Sequence, residues 1–376
     1  MSLSTASPVD IESILEKIQK IKQKGEVELS RRECLAMLKE AVCTCYGYSE
    51  FLVEKLMRVF SPEEMVVFVE TNEAERPVTV RANLLQKKRK EVIAALVERG
   101  AVVEKCGEWT SDGVQVFEAQ FPVGATPEYL CGDYILQAAA SFLPVLALAP
   151  LPGEKVIDMC AAPGGKTTHI SAAMKNSGVV YANDINRQRI GGLAANLQRM
   201  NVRNAVVTNY SGEKIAKHVG LVDRVLLDAP CSGSGVVSKS EEAKSGTDEK
   251  DLERMTCVQK RLLAAAVNAI SRTSGGGVVV YSTCSVTVEE NEEVVDHVVR
   301  RMEGVSIVEC GIAFGDPGLT KSREKAFHPS MKNARRFYPQ KHNTDGFFVA
   351  KLKVACAVKK RKKESWAAKK KKKETK

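Results

Sequence analysis

Apolar residues Ile11, Ile14, Leu15, Ile18 and Ile21 recur at spacings of three and four, which lays one apolar stripe along a helix predicted to end near Gly25. Ser30 with Glu33, and Ser61 with Glu64, have capping-box spacing, and Pro62 stands at the first helical position of the second box. Residues 1–75 thus read as a helical region, and its periodicity favours packing over RNA contact. From Arg76 the period changes. Val78-Thr79-Val80-Arg81 alternates, a helix follows over Arg89 to Glu98 and closes at Gly100, and alternation returns around Val114, Val116 and Phe117. Residues 76–130 form a small α+β unit of RNA-binding type, although its Lys87-Lys88-Arg89-Lys90 cluster by itself reads as solvated surface.

From Lys155 onward, short β-rich runs alternate with helical patterns, the arrangement of a parallel sheet with crossover helices. The predicted strands are Val156 to Met159, Val179 to Ala182, Val206 to Thr208, Arg224 to Leu227 and Val278 to Ser282. Late strands at Val305 to Glu309 and Gly346 to Leu352 extend the edge, which makes seven. Helices fill the intervals near Thr167 to Met174, Arg187 to Met200 and Asp251 to Arg272, and a capping box of Thr287 with Glu290 predicts another. The long uncharged stretch Tyr134 to Gly153 is interrupted by Gln137, Ser141 and three prolines, so it reads as a buried helix running into a loop rather than a membrane span.

The chain has 376 residues, 44% of them hydrophobic and 27% charged, which excludes a small disulfide scaffold and disorder over the whole length. Its formal charge of +10 is concentrated: Lys359 to Lys376 carry 11 basic and 2 acidic side chains, leaving about +1 for the rest. Residues 354–376 therefore read as a basic disordered tail for nucleic-acid attraction or nuclear targeting. Met1 to Ser13 shows no basic-then-apolar signal pattern, and eleven cysteines then point to a reducing compartment with free thiols.

In an open parallel sheet, ligands bind beyond the carboxyl ends of the strands, where strand order reverses. After the first strand comes Cys160-Ala161-Ala162-Pro163-Gly164-Gly165-Lys166-Thr167, a glycine turn into a helix whose N-terminus faces a ligand. A Walker loop would need glycine where Cys160 stands, so an ATPase is excluded. The second strand ends in Asn183-Asp184, about 20 residues on, where a carboxylate can accept from ribose hydroxyls or, equally, cap the next helix. Glycine turn and acidic strand end together suggest an S-adenosylmethionine fold. The fourth strand runs into Asp228-Ala229-Pro230-Cys231-Ser232-Gly233, and the fifth into Thr283-Cys284-Ser285. Neighbouring strands lie about 5 Å apart, so two thiols and a carboxylate would face one pocket. Cys34, Cys43, Cys45, Cys106, Cys131, Cys257, Cys310 and Cys356 read as small buried hydrophobes. None of the five histidines lies near Cys231 or Cys284 in sequence, which argues against zinc.

Beside a methyl donor, one thiolate can add to carbon 6 of cytosine and turn carbon 5 into a nucleophile, while the second thiol serves release of the product. The residues alone leave the two roles interchangeable. With these motifs, and with Glu289-Glu290-Asn291, Asp345-Gly346-Phe347-Phe348, Gly124 to Tyr129 and Arg335-Arg336-Phe337-Tyr338-Pro339, the sequence resembles the Sun-type RNA cytosine-5 methyltransferases. Within them it is most similar to the nucleolar Nop branch, which modifies large-subunit ribosomal RNA.

The resemblance covers residues 76–353 and implies a Rossmann-like class I methyltransferase domain over 131–353 with a mostly parallel seven-stranded sheet. It implies Cys284 as nucleophile and Cys231 in product release, with Asp228 and Lys166 beside the target base. For S-adenosyl-L-methionine it implies the loop Cys160, Ala161, Ala162, Pro163, Gly164, Gly165 and Lys166, then Asp184 for ribose and Asp228 at the methionine end. Arg189 is expected to brace the Asp184 loop. Ser211 stands where relatives place an acid for the adenine amino group, which predicts weaker cofactor binding. The expected partners are ribosomal RNA and pre-ribosomal large-subunit particles in the nucleolus or nucleus, with no membrane and a monomer outside the particle. The alternative is an RNA-binding ribosome-assembly factor whose methylation is secondary or lost.

Overall fold

α1 (Pro8–Lys22) carries the predicted stripe, with Ile11, Ile14 and Ile18 buried. Ser30 and Ser61 accept from the backbone N–H of Glu33 and Glu64, whose carboxylates accept from the serine N–H in return. Both boxes thus close and start α2 (Arg31–Tyr46) and α4 (Pro62–Glu73), with α3 (Glu50–Leu56) between them. In this computed structural model, residues 8–23, 29–272, 275–323 and 325–356 are described. The predicted helix end near Gly25 and the basic run Lys359 to Lys376 lie outside the described residues. The four helices bury their apolar faces on one another and on Val237, Val286 and Tyr338, so this core continues into the loops that follow Cys231 and Cys284.

β1 (Val78–Ala82), β2 (Val102–Lys105), β3 (Gly113–Glu118) and β4 (Tyr134–Leu136) form an antiparallel sheet in the order β2-β3-β1-β4. α5 (Arg89–Glu98) covers it with Val92 and Leu96. This sheet ends at Leu136 rather than at residue 130, because Tyr134–Leu136 pairs with Val80–Ala82. The stretch from Tyr134 to Gly153 is accordingly not one helix. A strand, a 3-10 turn at Ala139–Phe142 and a short helix at Leu143–Leu148 divide it, and Gln137 leaves the helical register to receive a hydrogen bond from Arg81. Among the described residues no helix is long and apolar enough to cross a membrane.

The large sheet holds β5 (Lys155–Asp158), β6 (Val179–Asn183), β7 (Ala205–Thr208), β8 (Arg224–Asp228), β9 (Gly277–Thr283) and β10 (Val305–Val308). It is completed by β11 (Asp316–Pro317), β14 (Arg335–Phe337) and β15 (Phe347–Val354), while β12 (Lys321–Ser322) and β13 (Lys325–Ala326) form a separate hairpin. Strands β7-β6-β5-β8-β9 are parallel, and β15 runs antiparallel to β9. The sheet has nine strands rather than seven, since the long outer edge of β15 is shared: β10 pairs its C-terminal half, β14 its N-terminal half, and β11 pairs β14. Both faces are buried. Ile157, Val225, Leu227 and Val279 pack on the helix Glu249–Asn268, while Val156, Leu226 and Val280 pack on the helix Leu143–Leu148. The chain leaves β5 in one direction, through β6 and β7, and returns on the other side at β8. The crevice at the carboxyl ends of β5 and β8 is the point where strand order reverses.

Candidate active site

At the end of β5 the chain turns through Gly164, whose φ of 104° is left-handed and whose added Cβ would lie 3.0 Å from Leu193 Cδ1. The helix Gly165–Ala173 then starts with its N-terminus at the crevice. Thr167 Oγ1 donates to Asp158 Oδ2 at 2.7 Å. Burial pushes the Asp158 carboxyl up to about 7, and the Asp228 charge adds to this against the pull of the Thr167 bond.

A cavity of about 250 Å³ is lined by Cys160 to Pro163, Gly165, Lys166, Asp228, Tyr129 and Asn196, among others. Asp184 and Arg189 act on its wall from behind. Asp184 accepts from the N–H of Ala162 at 3.1 Å and of Asn186 at 2.9 Å, and Arg189 donates to the Ala162 carbonyl. Ser211 lies in the loop after β7, outside this lining. Arg81 from the small sheet donates to the Gly165 carbonyl and to Thr168 Oγ1, each at 2.7 Å, and so ties the β1 strand to the start of the helix. Burial, then the charges of Asp158, Asp228 and Asp184, push the Cys160 thiol up, so it stays protonated.

β8 and β9 pair with Asp228 opposite Ser282, which brings the next residues of both strands to one edge. Ser282 Oγ donates to Asp228 Oδ1 at 2.8 Å, and Lys166 Nζ lies 2.7 Å from Asp228 Oδ2. Burial works against the Lys166 ammonium, but Asp228 outweighs it and holds the pKa above the ordinary lysine value, with a smaller contribution from Cys284. The sulfurs of Cys231 and Cys284 are 3.1 Å apart. The hydrogen bond to Cys284 is the largest influence raising the Cys231 thiol well above its usual range, followed by burial and by the charges of Cys284 and Glu290. The geometry lets either sulfur donate, and these influences favour the proton on Cys231.

Four consecutive residues hold this pair. Glu289 binds buried Lys55 of α3 at 2.9 Å and Arg58 at 2.7 Å. Glu290 accepts from Ser232 N at 2.9 Å, Ser232 Oγ at 2.6 Å, Gln259 Nε2 at 3.0 Å and Thr287 Oγ1 at 3.1 Å. Asn291 accepts from Thr283 Oγ1 at 2.5 Å and donates to the Ser285 carbonyl at 2.9 Å. Glu292 pairs with buried Arg336, which also donates to the Val286 carbonyl at 2.8 Å. The cysteine loops are tied directly as well, by Gly235 N to the Cys284 carbonyl at 2.9 Å. A Cβ on Gly235 would come within 2.0 Å of the Gly346 carbonyl.

The predicted capping box of Thr287 with Glu290 does not form. The helix starts at Glu292 after Asn291, because the Glu290 carboxylate is turned to the loop of Cys231. Gln259, which also donates to the Pro230 carbonyl at 2.8 Å, was not anticipated. Its signal is a polar residue on the apolar stripe Leu252, Thr256, Gln259, Leu263 and Ala266 of its helix. Arg81 carried no such signal beyond an ordinary alternating strand. Of the cysteines expected to be buried, Cys34, Cys106 and Cys310 are, whereas Cys131 and Cys257 are exposed. Among the described residues no cysteine forms a disulfide and no group of His, Cys, Asp or Glu has metal-binding geometry.

Residues 145–353 match the family model described as 16S rRNA methyltransferase RsmB/F. The chain is 49% identical over 355 residues to the Schizosaccharomyces pombe 25S rRNA (cytosine-C(5))-methyltransferase nop2, covering 92% of this chain and 58% of that one. It is 47% identical over 345 residues to the Homo sapiens 28S rRNA (cytosine(4447)-C(5))-methyltransferase, covering 92% and 42%. The chain thus spans about half the length of these relatives. Among solved structures, a methyltransferase homolog protein from Pyrococcus horikoshii superposes with a TM-score of 0.75 at 33% identity, over 85% of this chain and 98% of that one. The matched span, the identities and the shared architecture establish that this chain belongs to the RsmB/F family of rRNA methyltransferases and has the class I methyltransferase fold.

Proposed function

We propose that this protein transfers a methyl group from S-adenosylmethionine to carbon 5 of a cytosine in large-subunit ribosomal RNA, through a covalent adduct with Cys284. The observation that carries the reading is the sulfur pair 3.1 Å apart beside the Lys166–Asp228 ion pair, with the Cys231 thiol raised well above its usual range. With the proton favoured on Cys231 and the Lys166 ammonium in the same crevice, the environment favours Cys284 as nucleophile.

The residues fit the methyl donor: small side chains and backbone from Cys160 to Gly165 leave room for an adenosyl group, Asp228 lines the same cavity and offers a carboxylate to the sulfonium end, and Asp184 supports the wall through the Ala162 and Asn186 N–H groups. When bound, it supplies an electrophilic methyl carbon. Cys284 Sγ adds to carbon 6 while Lys166 donates toward the pyrimidine ring, and the electron pair moves to carbon 5, which takes the methyl group. Cys284 is then a neutral thioether, so the largest influence holding the proton on Cys231 is gone. Cys231 gives that proton to solvent and takes the one on carbon 5. The ring double bond re-forms, Cys284 leaves as a thiolate, and the starting hydrogen bond returns. The balance is one methyl group transferred and one proton released.

The target base must leave its stack to reach this crevice, which suits single-stranded or splayed RNA. Association with pre-ribosomal large-subunit particles in the nucleolus, and a role in ribosome biogenesis, are supported by the 25S and 28S rRNA specificity in the relatives' names and by the basic run at Lys359 to Lys376. The small α+β unit, joined to the catalytic helix through Arg81, is the further RNA-binding element of this reading.

The test uses a large-subunit rRNA transcript with S-adenosylmethionine, scored for methylation and for adduct stable in denaturant. Cys284→Ala abolishes both, and Cys231→Ala lets adduct accumulate. Adduct from Cys284→Ala reverses the assignment, and no methylation by the wild type together with millimolar cofactor affinity favours an RNA-binding assembly factor instead.

A further inference from the structure

The two sulfurs must be placed within a fraction of an ångström of each other and of the base, yet they sit on loops that leave different strands. Two adjacent side chains at the far end of the segment that joins β9 to the helix Glu292–Arg301 reach the neighbours of one cysteine each. We infer that Glu290 and Asn291 are the positioning residues of the thiol pair, Glu290 setting Cys231 for product release and Asn291 setting Cys284 for adduct formation. The inference rests on the reaction proposed above.

Glu290 is fully buried, and its four hydrogen bonds come from neutral donors: two from Ser232, next to Cys231, one from Gln259, which also grips Pro230 on the other side of Cys231, and one from Thr287. These donors occupy both carboxylate oxygens, and each oxygen has lone pairs for two. The carboxylate therefore fixes the Pro230–Ser232 segment from both flanks of the thiol. An amide in its place would turn two N–H groups toward the Ser232 and Thr287 hydroxyls, which must then reverse to accept, and the charge-assisted grip on the segment is exchanged for weaker neutral bonds.

Asn291 is also fully buried, and it brackets the other thiol: its oxygen accepts from Thr283 and its nitrogen donates to Ser285, the residues before and after Cys284. Only an amide satisfies both. The peptide between the two grips is itself pinned, because the Tyr281 hydroxyl of β9 donates to the Glu290 carbonyl at 2.6 Å. The distance between the thiols is thus transmitted through one rigid dipeptide, and each half has its own chemical step. The charge of Glu290 also raises the Cys231 thiol.

The experiment compares Glu290→Gln and Asn291→Asp on two large-subunit rRNA transcripts, one ordinary and one containing 5-fluorocytidine, with saturating S-adenosylmethionine. Fluorine at carbon 5 cannot be removed as a proton, so the second transcript records adduct formation without release. Glu290→Gln is expected to accumulate adduct on ordinary RNA and to lose about tenfold in steady-state turnover, while adduct formation on the fluorinated RNA stays within about threefold of wild type. Asn291→Asp is expected to lose about tenfold in adduct formation on the fluorinated RNA and to accumulate none on the ordinary one.

Identical profiles for the two variants, or wild-type behaviour of either, overturn the inference. Should a variant not fold, Ser232→Ala substitutes for Glu290→Gln and Thr283→Val for Asn291→Asp, with the same directions and smaller effects. Wild-type protein that forms no adduct on fluorinated RNA refutes the proposed reaction itself. Normal behaviour of wild type and Cys231→Ala with unsplit variants refutes only the positioning roles.

Discussion

The loop after β5 and the two cysteine loops after β8 and β9 stand at the same sheet edge, but they are held differently. The first is shaped mainly by its own backbone: a left-handed glycine, a helix N-terminus, and contacts from Asp184 and Arg189 to Ala162. The cysteine loops are held by buried side chains from distant segments, including Gln259 on the helix Glu249–Asn268 and Arg336 on β14. A cradle for a bound ligand can be built from main-chain groups, whereas two sulfurs proposed to act in sequence on one ring need cross-bracing. The N-terminal helices join the second region, through Lys55 and Arg58 on Glu289 and through the core around Val286.

The contrast breaks most visibly at Arg336. In Arg336→Met the buried Glu292 loses its cation, and unfolding by denaturant is expected to show a loss of about 3–5 kcal/mol. Adduct formation on fluorinated RNA falls with it, because the Val286 carbonyl next to the Cys284 loop is released. Arg81→Met probes the cofactor side. Its loss removes bonds to Gly165 and Thr168 and is expected to cost about 1–3 kcal/mol. It should raise the cofactor KM with a smaller change in kcat at saturation; equal damage to adduct chemistry would erase the distinction between the regions.

Asp158, beneath the cofactor loop, supplies a pH test. Its pKa of about 7 lies above the carboxylate's ordinary value of 3.8, so the folded chain holds a proton that the unfolded chain has lost. This group therefore makes stability fall as pH rises from about 4 to 7, and its influence levels off above that. Asp158→Asn removes the component, so its stability relative to wild type should rise across that window by up to roughly 1.4 kcal/mol per pH unit, followed as melting temperature against pH. A constant difference would show that the carboxyl titrates normally. The smallest effect is expected from Ser211→Asp, which restores a charged acceptor for an adenine amino group and should tighten S-adenosylmethionine binding a few-fold by calorimetry. Unchanged affinity would remove Ser211 from the cofactor site.

The five parallel strands were legible because both faces of the sheet are buried and each run is short, apolar and bounded by turn residues. Their ends were read to within a residue. The shared outer edge of β15 was not, since two- and three-residue strands such as Asp316–Pro317 carry no periodicity. Thr287 and Glu290 have capping spacing, but local propensity lost to the two stronger donors offered by Ser232. Tyr134–Leu136 was hidden in an uncharged run because three residues of edge strand look like any apolar segment.

By itself the sequence determined the fold class, the family motifs and which residue types end the strands at the crevice, since glycine turns, capping boxes and alternation act over a few residues. Only the tertiary structure decided that the sulfurs of Cys231 and Cys284 meet, that Arg81 reaches the loop after β5, and that Glu290 and Asn291 each grip the residues around one thiol. Those features depend on hydrogen bonds and charges between segments up to 87 residues apart, as from Arg81 to Thr168. Their energy exists only once folding has removed the water around them.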